Sequence, residues 1–288
     1  MKQPERGSGV GLRMAAWFAL TFGRRVSRLL LYPTCLYYLV FDAPARNASK
    51  KYLQKVLTRE PRLRELFQHF YTFATVVLDR IFLLNGQFDK FEVHIHGEDI
   101  VVEMLEQRSG CVLLGAHMGS FEIVRSLGRD RNLNVSLLMY EENAREIRAL
   151  IQRVNPELTR QVIALGTIDS MLKVEAALAR GEFVGILADR DIRDEGATDQ
   201  FFFDGPVRIP TGPFRAAMMM NRPAVLMVGL FCTGNRYDIY FERLISPLAF
   251  EKHGRVAVDT AIKQYVARLE HYCSLSPYNW FNFYDFWK

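Results

Sequence analysis

The run Cys111-Val112-Leu113-Leu114-Gly115-Ala116-His117-Met118-Gly119-Ser120-Phe121-Glu122 leads an apolar stretch straight into a histidine, followed after four intervening residues by a glutamate. A short, continuous apolar run that ends in Gly and Ser reads as a strand buried on both faces, the kind that builds parallel sheets. It puts His117 at the carboxyl end of a strand, where open α/β sheets gather their chemistry. Glu122 then falls in the first turn of the next helix, close enough to reach back toward the imidazole. The two read as a base and its orienting acid. The other reading is a loop histidine bonded to backbone and a carboxylate placed there by the helix dipole.

Outward from this run, strand-like stretches at 91–95, 111–116, 134–139, 161–165, 183–188, 224–231 and 237–241 are interspersed with helix-like ones at 50–57, 62–84, 144–154, 168–180 and 214–220. Pro61 breaks the first two helices apart, and Asn85-Gly86 closes the second. Such alternation predicts an α/β fold, with a mostly parallel central sheet flanked by helices and a hydrophobic, basic helical segment at the amino terminus. With 288 residues, 49% hydrophobic and 24% charged, the chain buries a sizeable core.

The net charge of +5 hides an asymmetry. Residues 1–64 hold thirteen Lys/Arg against three Asp/Glu, and the remainder holds 24 against 29. The same quarter contains the apolar stretch 29–41, interrupted by Pro33 and flanked by Arg24, Arg25, Arg28, Arg46, Lys50 and Lys51. It falls short of the roughly 20 residues needed to span a bilayer. It suits a segment lying in the interface of an anionic membrane surface, or a helix docked on the protein's own core. The expected organisation is an interface segment over 1–45 and an α/β domain over 46–288. No small-residue cleavage pattern follows the apolar stretch, which argues against a removed leader. Cys35, Cys111, Cys232 and Cys273 are widely separated and have no CxxC or Cys/His spacing. They read as reduced core residues, which favours the cytoplasmic side of a membrane.

A second strand-to-charge transition occurs at Gly185-Ile186-Leu187-Ala188-Asp189-Arg190. Asp189 and Arg190 are expected on the same sheet edge as His117, as substrate contacts or as a surface ion pair. The turn Pro210-Thr211-Gly212-Pro213 precedes a helix and offers backbone N–H groups at Thr211 and Gly212 for a phosphate or a developing oxyanion, unless Thr211 merely caps that helix. His94 and His96 share one side of a strand, but alternation explains them and no third ligand is indicated, so no metal is expected. GxSxG, P-loop and GxGxxG patterns are absent, as is any nucleic-acid-binding motif.

Together, Gly115-Ala116-His117 with Glu122, Ala188-Asp189, Phe201-Phe202-Phe203 with Gly205, Pro210-Thr211-Gly212 and the aromatic tail resemble the lysophospholipid acyltransferase superfamily, and within it the lipid A lauroyl/myristoyl acyltransferase branch. The resemblance implies that His117 deprotonates an acceptor hydroxyl while Glu122 orients it. It further implies that the hydroxyl attacks an acyl thioester carried by acyl carrier protein or coenzyme A, with no other cofactor. Asp189, Arg190, Thr211 and Gly212 are the expected substrate contacts, a membrane lipid the acceptor, and the cytoplasmic face of the bacterial inner membrane the location. Where that branch carries a Tyr-Arg pair, this chain reads Met139-Tyr140-Glu141-Glu142-Asn143. The tail, with six aromatic residues among its last nine, resembles relatives associated with aryl polyene and xanthomonadin-type pigment lipids. It is expected to line an acyl pocket or to cover one edge of the core. A non-catalytic lipid-binding protein and an acyl-thioester hydrolase are the other readings of the chain.

Overall fold

The computed structural model describes residues 9–127, 133–140, 162–165, 168–190, 196–245 and 254–287. Nine strands lie among the described residues: β1 (Glu92–His96), β2 (Cys111–Gly115), β3 (Val135–Tyr140), β4 (Val162–Leu165), β5 (Phe183–Leu187), β6 (Ala197–Phe202), β7 (Gly205–Pro210), β8 (Ala224–Phe231) and β9 (Arg236–Ile245). The helices among the described residues are α1 (Gly9–Phe41), α2 (Ala43–Leu57), α3 (Leu63–Leu84), α4 (Glu98–Glu106), α5 (Ile168–Ala179), α6 (Gly212–Met219) and α7 (Arg255–Leu275).

Seven strands form one sheet in the order β1-β9-β8-β2-β5-β3-β4. Every pairing is parallel except β8 with β9, so β2, β3, β4, β5 and β8 all point the same way. The expected α/β architecture is therefore present. β2 is buried along its whole length. Val112 and Leu114 enter one core, Cys111 and Leu113 the other, as the two-residue period of a strand requires. α5, α6 and α7 cover the first face; α4 and the carboxyl half of α3 cover the second.

Local sequence explains the helix boundaries. Asp42 Oδ1 accepts the Ala45 N–H at 3.2 Å with Pro44 just inside, so α2 starts at Ala43, ahead of the expected 50. Glu65 reaches back to the Arg62 N–H at 2.6 Å and opens α3 behind Pro61. The hairpin of β6 and β7 was not expected from the sequence: Phe203 and Asp204 take positive φ values of 45° and 60°, as a two-residue hairpin turn requires, without a glycine at either place. The helix expected at 144–154 lies outside the described residues, as do Glu141 to Asn143.

α1 is broken at Gly23, whose φ of 81° and ψ of 169° are not helical, and it carries Pro33 further on. It packs along α3 and is tied there by Arg24, whose guanidinium donates to both oxygens of the fully buried Asp79 at 2.6 and 2.7 Å. Its other side is apolar and exposed: thirteen of the twenty exposed large apolar side chains among the described residues belong to α1, from Met14 to Phe41. No helix of the described residues is long and apolar enough to cross a membrane. Cys35, Cys111 and Cys273 are buried as expected, whereas Cys232 is exposed just past the end of β8.

Candidate active site

The apolar runs of β2 and β5 lie side by side in register, Gly115 opposite Leu187. The Ala188 N–H continues the ladder to the Gly115 carbonyl at 2.9 Å. Both chains then leave the sheet at the same edge, and residues 72 apart in sequence meet: His117 Nδ1 lies 2.8 Å from Asp189 Oδ1, and the His117 backbone N–H donates to Asp189 Oδ2 at 3.0 Å. A nitrogen facing a carboxylate carries the hydrogen, so the free lone pair of the neutral ring sits on Nε2. That nitrogen has no hydrogen bond to any described residue, and the side chain is 29% exposed. The basic atom is therefore left without a hydrogen-bond partner among the described residues, on a side chain that is partly exposed.

Asp189 is 1% exposed and accepts a third hydrogen bond, from the indole Nε1 of Trp280 at 3.1 Å. Burial opposes its ionisation. The charges of His117 and Arg190 and the bonds from His117 outweigh that and hold its carboxyl well below the usual carboxylate range. His117 itself is shifted down: desolvation disfavours the imidazolium most, the nearby Arg190 adds repulsion, and Asp189 pulls the other way. At neutral pH the imidazole is uncharged and able to accept a proton.

The loop that follows is held by close backbone packing. Gly119 takes a φ of 56°, and a Cβ there would lie 1.9 Å from the Gly229 carbonyl oxygen of β8. Ser120 donates its N–H to that same oxygen at 2.8 Å. The carboxyl-terminal tail closes the other side. Phe281 donates its N–H to the His117 carbonyl, and Gly119 donates its own to the Asn279 carbonyl, both at 2.8 Å. Asn279 bonds both backbone groups of Phe231 at the end of β8, and Arg190 donates to the Phe281 carbonyl at 2.7 Å. His69 of α3, fully buried, donates from Nε2 to the Trp280 carbonyl at 2.8 Å and accepts from Ser49 at Nδ1. Burial pushes its pKa down to about 4, against the pull of that carbonyl, so this histidine is a neutral strut. The expected edge-covering tail is thus bound to the histidine loop itself.

Glu122 is placed differently from expectation. It begins a 3-10 turn (Glu122–Leu127), and its carboxylate lies 2.8 Å from Arg80 Nε of α3 and 3.4 Å from the Ser120 hydroxyl. The partner of the His117 ring is Asp189, because the neighbouring strand β5 delivers a carboxylate directly at Nδ1 while the turn aims Glu122 at α3. Arg190 forms no ion pair with Asp189; besides bonding Phe281 it lies over the Tyr284 ring, 5.2 Å from the centroid. Thr211 and Gly212 stay outside the His117 group. Thr211 donates its N–H and hydroxyl to the Gly196 carbonyl and makes no side-chain cap, and α6 packs Phe214 against Tyr265, whose hydroxyl bonds the Gly115 carbonyl. His94 pairs with Glu92 and His96 stacks on Tyr240.

Trp280, Asn279, His69 and Arg80 were not legible as site residues, since each arrives from an element remote in sequence from 111–122. Trp280→Phe keeps an aromatic, though smaller, side chain and removes the indole hydrogen bond to a charged acceptor. Loss of that constraint on Asp189 is expected to lower kcat roughly tenfold. With one donor fewer, the Asp189 charge is less spread and favours the imidazolium more, so the acid limb of the pH–rate profile moves to higher pH. A change in stability alone would leave that limb in place.

The pH profile gives a further expectation. Because the folded pKa of His117 lies below its usual value, kcat/KM is flat through neutrality and falls in acid with a midpoint below about 6.5. Arg190→Gln removes a repulsive charge and shifts that midpoint upward. A midpoint above the ordinary histidine value in the unsubstituted enzyme would contradict the assignment.

A search of the curated proteins returned no match. The family model for bacterial lipid A biosynthesis acyltransferases matches residues 62–288, a span that contains His117, Glu122, Asp189 and the whole tail. With more than three quarters of its length matched, the chain belongs to the bacterial lipid A biosynthesis acyltransferase family.

Proposed function

We propose that the protein is a membrane-associated O-acyltransferase that moves an acyl group, fatty or aryl polyene, from a thioester of acyl carrier protein or coenzyme A to a hydroxyl of a lipid acceptor. The observation that carries this reading is the His117–Asp189 bond, which fixes the ring tautomer and leaves Nε2 open to the acceptor. His117 Nε2 takes the hydroxyl proton as the oxygen attacks the thioester carbonyl carbon. Asp189 steadies the imidazolium, and collapse of the tetrahedral intermediate breaks the carbon–sulfur bond. The thiolate leaves with the proton returned by His117, so the products are a lipid ester and a free thiol. General-base help of this kind is worth about 10²- to 10⁴-fold in rate. Glu122, through Arg80, braces the loop that presents His117, and at the amino end of α6 the Gly212 N–H, next to a Thr211 whose own N–H is bound to the Gly196 carbonyl, is offered to the acyl donor.

Residues 1–45 serve as the membrane-interface segment and 46–288 as the catalytic domain. The exposed apolar side of α1 and the excess of Lys/Arg in this quarter support attachment to an anionic surface, with the cytoplasmic face of the bacterial inner membrane as its place. Acyl thioester supplied to the enzyme with bacterial membrane lipids is expected to yield acylated lipid and free thiol in equal amounts by mass spectrometry. Free acid without acyl lipid would indicate a hydrolase, and no thioester consumption a binding protein; either contradicts the proposal.

A further inference from the structure

We propose that the hollow at the break of α1 is a binding site for the phosphate headgroup of an anionic membrane lipid; this rests on the reading that α1 lies against a bilayer. Where Gly23 interrupts the helix, a cavity of about 580 Å³ opens between α1, Lys90 and the β8–β9 turn at Gly234 and Asn235. Four cationic side chains line it, Arg24, Arg25, Arg28 and Lys90, and no carboxylate does. Arg24 is spent on Asp79. Arg28 is held in place by the Gly234 carbonyl at 2.7 Å and by the Tyr71 and Phe231 rings. Arg25 and Lys90 have no carboxylate partner among the described residues.

Arg25, Arg28 and Lys90, none of them in an ion pair among the described residues, surround one hollow and repel each other, and an anion between them turns that repulsion into attraction. A phosphate suits the set, since guanidinium forks bind its oxygens in pairs and an ammonium adds a point charge. The neighbourhood indicates which phosphate. Phe22, Val26 and Leu29, on either side of the break, are exposed apolar side chains in line with the rest of the stripe on α1. A helix lying in the interface buries such a stripe about 5–10 Å deep, which sets the hollow at headgroup level. The hollow is also large for an inorganic ion. Its rim at Gly234 and Asn235 follows β8, whose carboxyl end shares the sheet edge with His117. A lipid held here would fix that edge against the surface that delivers the acceptor.

The test compares the unsubstituted protein, Arg25→Gln/Lys90→Gln, and a charge-matched control, Lys50→Gln/Arg64→Gln, whose side chains are exposed and outside the hollow. Binding is measured to vesicles of equal parts phosphatidylcholine and phosphatidylglycerol, and by calorimetry to dihexanoyl phosphatidylglycerol below its micelle concentration and to inorganic phosphate. The expected result is vesicle binding about tenfold or more weaker for the hollow variant than for the control. A single calorimetric site for the short-chain lipid, lost in the hollow variant, is expected with it. Equal losses in the two variants would leave the membrane reading standing and overturn the hollow as a site. Inorganic phosphate binding as tightly as the lipid would overturn the lipid as occupant. Failure of the unsubstituted protein to bind vesicles would remove the membrane reading and the proposal with it.

Discussion

Asp189→Asn is expected to lower kcat by about 10³- to 10⁴-fold with the fold retained, the loss seen when the carboxylate behind a catalytic histidine elsewhere is made an amide. The carboxylate here receives the His117 Nδ1 hydrogen, the His117 N–H and the Trp280 indole. An amide in its place can turn an N–H₂ toward Nδ1. The ring then carries its hydrogen on Nε2, and the atom meant to take a proton already has one. The imidazolium formed in the transition state also loses its counter-charge. Glu122→Gln is the informative contrast. Its partners are Arg80 and Ser120, so the substitution is expected to cost about tenfold or less, by loosening the loop. Steady-state kinetics of both variants decide the order, and a larger loss for Glu122→Gln would return the orienting role to that residue.

Arg24→Leu is expected to destabilise the protein by about 3–5 kcal/mol, the usual cost of leaving a buried charge without its partner. Asp79 is fully buried, and burial already lifts its carboxyl above the ordinary range despite the guanidinium. Without Arg24, the Tyr237 hydroxyl at 2.8 Å is the one hydrogen bond left to it among the described residues, and the carboxyl must protonate or go without an ion-pair partner. Thermal unfolding should shift down by roughly 10 °C. Arg24→Leu/Asp79→Asn should recover much of the loss, because the cost lies in the orphaned carboxylate and the contact itself contributes less. Full additivity of the two single changes would contradict this.

The sequence made the sheet legible because β2, β5 and β8 are unbroken apolar runs, a pattern that only strands buried on both faces need. It also put Asp189 on the correct edge, since two parallel strands with charges at their carboxyl ends must deliver them to the same side. It could not show that β2 and β5 are neighbours, and only that adjacency turns two charged strand ends into a hydrogen-bonded pair. Proximity in sequence favoured Glu122, but a 3-10 turn after Phe121 sends that carboxylate to Arg80. The tail showed density of aromatics without period, so nothing in it indicated that Trp280 would reach Asp189 across 91 residues. Likewise the hairpin of β6 and β7 carries its positive φ on Phe203 and Asp204, residue types that only weakly announce a turn.

The chemistry rests on one atom, Nε2 of His117. The direct test is the rate of acyl lipid formation by folded His117→Gln, with circular dichroism and thermal unfolding matched to the unsubstituted enzyme. A fall of about 10³-fold or more, with thioester and lipid binding retained, is expected if that nitrogen takes the acceptor proton. Acyl lipid formed at the unsubstituted rate would contradict it.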